Sequence, residues 1–100
     1  MSFAFVQEFK VQGDDRSTTN YDAINERLTR EDAPAGLLMH FAGFDEDAGV
    51  FRIVNVWETR EQGERYRDEK VLPVVREVVP GGGRPPDRET AYELHHVAKP

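Results

Sequence analysis

A chain of one hundred residues with a net charge of −6 and no cysteine has room for one domain, residues 1–100, and one core. The hydrophobic fraction is 38%, with six Phe, three Tyr and one Trp, which is enough to fill that core and excludes disorder as the default reading. An acidic surface without a Lys/Arg cluster repels phosphate backbones, so nucleic acid is excluded as a partner, and the lack of cysteine excludes disulfides, thiolate catalysis and Cys-ligated zinc.

The N-terminus has no basic region and meets an acid at Glu8. No signal peptide is expected there. No apolar run approaches the ~20 residues of a membrane span, so no membrane role and a cytoplasmic location are expected. Phe3, Phe5, Gln7 and Phe9 alternate with Ala4, Val6 and Glu8, which predicts a first strand with an aromatic face. Gly13-Asp14-Asp15 ends it. Thr19 with Asp22 has the form of a capping box, and Tyr21, Ile24 and Leu28 recur at helical spacing. They predict a helix of about three turns, closed by Pro34 and Gly36.

Gly36 to Phe44 reads as a second strand, Asp45 to Gly49 as a hairpin connection, and Val50 to Glu58 as a third strand. Thr59 then caps a helix that runs through Tyr66 and Leu72 to about Val79. Pro73 must kink or restart it, because proline has no N–H and clashes with the preceding turn. After the loop at Pro80–Pro86, Glu89 to Val97 alternates as a fourth strand. The order β-α-β-β-α-β predicts the ferredoxin-like α+β fold: a four-stranded antiparallel sheet with both helices on one face. Strands two and three are apolar on both faces, so something must cover the side away from the helices. A second copy of the same sheet is the simplest cover, and a homodimer through the sheet face is expected.

The stretch from Gly36-Leu37-Leu38-Met39-His40 to Val54-Asn55-Val56-Trp57-Glu58-Thr59-Arg60-Glu61 resembles the dimeric α/β barrel superfamily. More narrowly it is similar to the antibiotic biosynthesis monooxygenase-like proteins. The hydrophobic strand ending in Trp57-Glu58, the capped helix directly after it, Tyr21 to Leu28 and Leu72-Pro73 carry the likeness. The resemblance implies a homodimer whose two sheets face each other in a closed barrel, with a pocket in each protomer between sheet and helices. It also implies oxygenases that use no cofactor on electron-rich aromatic compounds, or haem-degrading enzymes. Gln7 stands where the haem-degrading enzymes have an Asn, and the helix after Glu58 has no His, so that branch is set aside.

Asn55 and Trp57 share a strand face with Phe51 and Ile53. An amide in that apolar row needs a partner or costs about 1–3 kcal/mol. Asn55 either donates to a substrate oxygen or pairs with a neighbour. Trp57 either walls a pocket or is core. His40, mid-strand, is either a base working near neutral pH or a core histidine bonded to backbone or Tyr. His40, Asn55 and Trp57 are the candidate catalytic residues, and Tyr21, Tyr66, Phe51 and His96 the candidate substrate contacts. Gly63, on the second helix one turn before Tyr66, either leaves space for a ligand or faces solvent. His95 and His96 are adjacent on a predicted strand, point to opposite faces and cannot hold one ion together. No metal and no cofactor are expected. Two functions follow: a cofactor-independent monooxygenase-like enzyme for a small aromatic compound, or a non-catalytic ligand-binding or stress-related dimer.

Overall fold

Four stretches of chain rich in aromatic and β-branched residues suit the pleated surface of a sheet. In the computed structural model, which describes residues 1–99, these stretches form β1 (Phe3–Lys10), β2 (Leu37–Asp45), β3 (Val50–Trp57) and β4 (Arg88–Glu93). They make one sheet in the order β2-β3-β1-β4, with every neighbouring pair antiparallel. Two helical crossovers lie on one face: α1 (Thr19–Leu28), and a second layer of α2 (Arg60–Tyr66), a π-turn (Arg67–Val71) and α3 (Leu72–Val78). This is the ferredoxin-like arrangement that the element order predicts.

Register decides which side chains meet the helices. Asn55 stands opposite both Phe5 and His40, Ile53 opposite Gln7 and Ala42, and Phe51 opposite Phe9 and Phe44. Opposed residues share a face, so these line the helix side. The pairing of β2 shifts by one residue between Leu37, opposite Trp57, and Met39, opposite Val56, with Leu38 the extra residue. Without that bulge, Leu37 and His40 would point to opposite faces, because side chains alternate. The bulge puts both on the helix side.

Two local expectations need correction. The N-cap of α1 is Thr18 rather than Thr19, and it caps no backbone N–H; its hydroxyl donates to Asp22 Oδ2 at 2.8 Å. Pro73 restarts the second helix, as expected: it lies in the first turn of α3. The π-turn absorbs it: Leu72 N–H bonds to Arg67 O five residues back, which opens the turn against which the proline ring would otherwise clash. β4 ends at Glu93, not Val97. Its neighbour β1 begins at Phe3, and after Leu94 N–H bonds to Ser2 O at 2.8 Å no strand remains to pair with. His95 and His96 therefore lie exposed beyond the sheet, and the opposite-face argument does not apply to them. The expected cap of α2 does form, with Thr59 Oγ1 accepting from Gln62 N–H.

Buried apolar residues are few: Ala4, Val50, Val54, Trp57 and Val79. No residue of α1 or α3 is buried. The apolar stripe of the helix layer faces the sheet without closing on it. On the opposite face Met39 and Phe41 are each 51% exposed and Tyr92 49%, so one end of the sheet's outer side is apolar and open, while Arg52 pairs with Glu8 and Asp45 toward the other. No described helix is long and apolar enough to cross a membrane.

Candidate functional site

The gap between the layers is a cavity of about 1330 Å³. The odd-numbered residues of β1 and β3 form its floor: Phe5, Gln7, Phe9, Phe51, Ile53 and Asn55. Its roof carries Tyr21, Ile24 and Leu28 from α1, with Tyr66, Val71 and Val75 from the second layer. The Tyr21–Ile24–Leu28 spacing that predicts a core stripe lines the chamber instead. A volume of this order is above the roughly 300–1,000 Å³ of ordinary ligand sites.

Helix α2 closes one end. Gly63 is buried, and a methyl group there would lie 2.5 Å from Phe5 Cε2 and 2.8 Å from Trp57 Cδ1. Gly63 thus neither leaves a void nor faces solvent; it lets the helix seat directly on two aromatic rings. Trp57, 3% exposed, is fixed by this contact and by Tyr66, whose ring centre is 5.4 Å away. Burial holds the Tyr66 hydroxyl above its usual 10.0, with Glu31 adding to the effect.

Three of the predicted residues form one hydrogen-bonded chain that runs from the roof to the floor. Tyr21 Oη lies 2.7 Å from His40 Nε2, and His40 Nδ1 lies 2.6 Å from Asn55 Oδ1. An amide oxygen only accepts, so His40 Nδ1–H donates to it. That leaves Nε2 as a bare lone pair, and Tyr21 O–H donates into it. Tyr21 also meets Phe51 edge-on, with ring centres 5.4 Å apart. Burial raises the Tyr21 hydroxyl above its usual 10.0, and Asp22 adds to this, so the phenol is protonated at neutral pH. The side-chain nitrogen of Asn55 has no acceptor among the described residues, and no buried polar atom is left unpartnered. Its N–H groups are therefore open to the cavity that Asn55 lines.

The cavity brings together six of the seven expected residues: Tyr21, His40, Phe51, Asn55, Trp57 and Tyr66. His96 does not line it. Gln7 does, a residue weighed in the sequence only as a departure from the haem-degrading pattern; its interruption of the Phe3-Phe5-Phe9 row was the available signal. Among the described residues no three His, Asp or Glu side chains gather as a metal-binding set.

No family model matches this chain, and no curated protein is similar to it in sequence. Solved structures are similar to it in fold. Rv0793 from Mycobacterium tuberculosis superposes with a TM-score of 0.68 at 16% identity, covering 99% of this chain and all of that one. SnoaB, a cofactor-independent oxygenase from Streptomyces nogalater, gives 0.62 at 14% identity over 96% of this chain and 95% of its own. PA3566 from Pseudomonas aeruginosa gives 0.59 at 14% identity over 97% and 95%. Likeness at such identities speaks for architecture and leaves the chemistry to the residues.

Proposed function

Starting from a chain with the fold of the antibiotic biosynthesis monooxygenase-like dimeric α/β barrels, we propose that it is a cofactor-independent oxygenase for a small, electron-rich aromatic compound. The observation that carries this reading is the Tyr21–His40–Asn55 chain between roof and floor of an aromatic-lined cavity. The substrate lies flat between the floor and Tyr66, with its acidic hydrogen at Tyr21 Oη. As Oη takes that proton it passes its own to His40 Nε2. The imidazolium is held by Asn55 Oδ1 at Nδ1–H, and the free Asn55 N–H groups donate to the oxygen on which the substrate's negative charge settles. The substrate anion gives one electron to dioxygen. The two radicals combine in a C–O bond, and the peroxide loses water to leave a carbonyl. A ring CH2 plus O2 thus becomes C=O plus H2O, with no outside reductant.

A second reading has its own support. Tyr21, His40 and Asn55 satisfy one another, as a stabilising trio in a ligand-binding protein without chemistry would. A thermal-shift screen of polyphenols, quinones and haem, followed by oxygen uptake on each hit, separates the two. The oxygenase reading expects uptake without added metal or flavin on a phenolic hit. Binding without uptake across the panel favours the second reading, and no hit at all contradicts both.

The resemblance also supports a homodimer through the open sheet face, where Met39, Phe41 and Tyr92 stand exposed. A cytoplasmic setting fits a reaction that needs only dioxygen and a diffusible substrate.

A further inference from the structure

The loop Pro80–Pro86, which composition alone presents as a flexible connection, forms part of the cavity wall: Gly82, Gly83, Arg84, Pro85 and Pro86 all line it. Gly81, Gly82 and Gly83 have φ of 73°, 79° and 73°. Three successive residues thus sit in the region that side chains disfavour, and only glycine moves freely there. Pro80 on one side and the Pro85-Pro86 pair on the other are stiff in φ, so motion concentrates in the triglycine.

The far end of the loop is tied to the end of β1 through the Arg84 and Asp87 side chains. Arg84 lies over the Phe9 ring, 5.6 Å from its centre; it donates to Lys10 O at 2.9 Å and to Asp87 Oδ2 at 2.8 Å. Asp87 in turn accepts from Lys10 N–H at 2.7 Å, and its own N–H bonds to Glu8 O at 2.8 Å. Phe9 and Lys10 line the same end of the cavity. We propose that Pro80–Pro86 is a hinged gate over the Phe9 end of the cavity, held shut by Arg84. The Arg84 and Asp87 side chains are 47% and 33% exposed. Water competes for every contact of the latch, so it opens readily and closes again. The Lys10 N–H and Arg84 hold the Asp87 carboxyl below its usual 3.8, which keeps the latch charged at neutral pH.

The gate presupposes the reading of the cavity as a ligand chamber, but its test needs no ligand. The chain has no cysteine, so a single Ile53→Cys places one thiol on the floor. Its rate of reaction with dithiobis-nitrobenzoate reports how often the Phe9 end opens, over a constant background that enters beside the exposed His40. Ala48→Cys in the exposed hairpin serves as the reference. With the latch intact, Cys at 53 is expected to react much more slowly than Cys at 48. Adding Arg84→Gln, or separately Asp87→Asn, accelerates it several-fold and leaves the reference unchanged. Equal rates at the two positions with the latch intact would overturn the gate, as would a rate at 53 that neither latch variant alters. Thermal-shift measurements on the same proteins keep the readings apart. Gated labelling without aromatic binding leaves the gate standing and sinks the ligand chamber.

Discussion

His40 Nδ1 lies 2.6 Å from Asn55 Oδ1, across the pairing that sets these residues opposite each other on β2 and β3. This contact fixes which imidazole nitrogen carries the proton. It also divides the roles of the Asn55 amide, with its oxygen facing the histidine and its nitrogen the cavity. Asn55→Leu keeps the approximate shape and removes both. His40 is exposed, so water takes over its N–H and the loss of stability should be about 0.5–1.5 kcal/mol, below the cost of a sealed orphan. That corresponds to a fall in melting temperature of at least about 2 °C, at about 4–8 °C per kcal/mol for a domain of this size. Oxygen uptake on a hit should fall at least about tenfold, because the base loses its orientation. Full activity in Asn55→Leu would remove Asn55 from the site.

Tyr21→Phe keeps the ring against Phe51 and deletes the relay. Its activity should drop by about 10²–10⁴, with ligand affinity little changed. The alkaline limb of stability provides an independent check. Burial raises the folded pKa of Tyr21 above the unfolded value of 10.0. Its contribution is therefore complete below pH 10.0 and is lost as pH rises from there through the folded pKa. In Tyr21→Phe that part of the decline is absent, and phenolate absorbance shows one late-titrating tyrosine fewer. An unchanged alkaline titration would mean that Tyr21 is not held as described.

Gly63→Ala tests how tightly α2 seats. The new methyl meets Phe5 and Trp57 at well under contact distance, and both rings are part of the packed end. Overpacking of this kind costs about 1–3 kcal/mol. The melting temperature should fall by at least about 4 °C, with a shift in Trp57 fluorescence. A neutral outcome would mean that the helix stands off the rings.

Light scattering at micromolar concentration should return twice 11.4 kDa, with Met39, Phe41 and Tyr92 inside an interface of roughly 1,600 Å² or more. Phe41→Lys places a charge in that interface and should shift the mass toward the monomer. A native mass near 11.4 kDa would contradict the sheet-to-sheet dimer.

Much of this architecture was legible in the residues. Period-two alternation gave the first and fourth strands, apolar β-branched and aromatic runs gave the second and third, and the β-α-β-β-α-β order gave the sheet topology. His40 and Asn55 stood out as polar groups in apolar rows, and Tyr21 as a hydroxyl at the start of the first helix's stripe. The Leu38 bulge was not legible: it is a property of pairing, and nothing in Leu37-Leu38-Met39 signals it. Yet it decides that His40 enters the cavity. The end of β4 depends on where β1 begins, a non-local fact that the alternation of residues 94–97 concealed. The stripe Tyr21–Ile24–Leu28 looks the same in sequence whether it meets a core or a chamber.

The central claim is that Tyr21 and His40 together remove a proton from a substrate in the cavity. Anaerobic exchange isolates that step from the chemistry of oxygen. Anthrone, whose ring CH2 is acidic, is incubated with the protein in deuterium oxide under nitrogen, and deuterium at that carbon is followed by mass spectrometry. The native protein should speed incorporation over buffer, and His40→Gln and Tyr21→Phe should each return it toward the buffer rate. Exchange that is equally fast in both variants, or no faster with the native protein than in buffer although anthrone binds, would contradict the account.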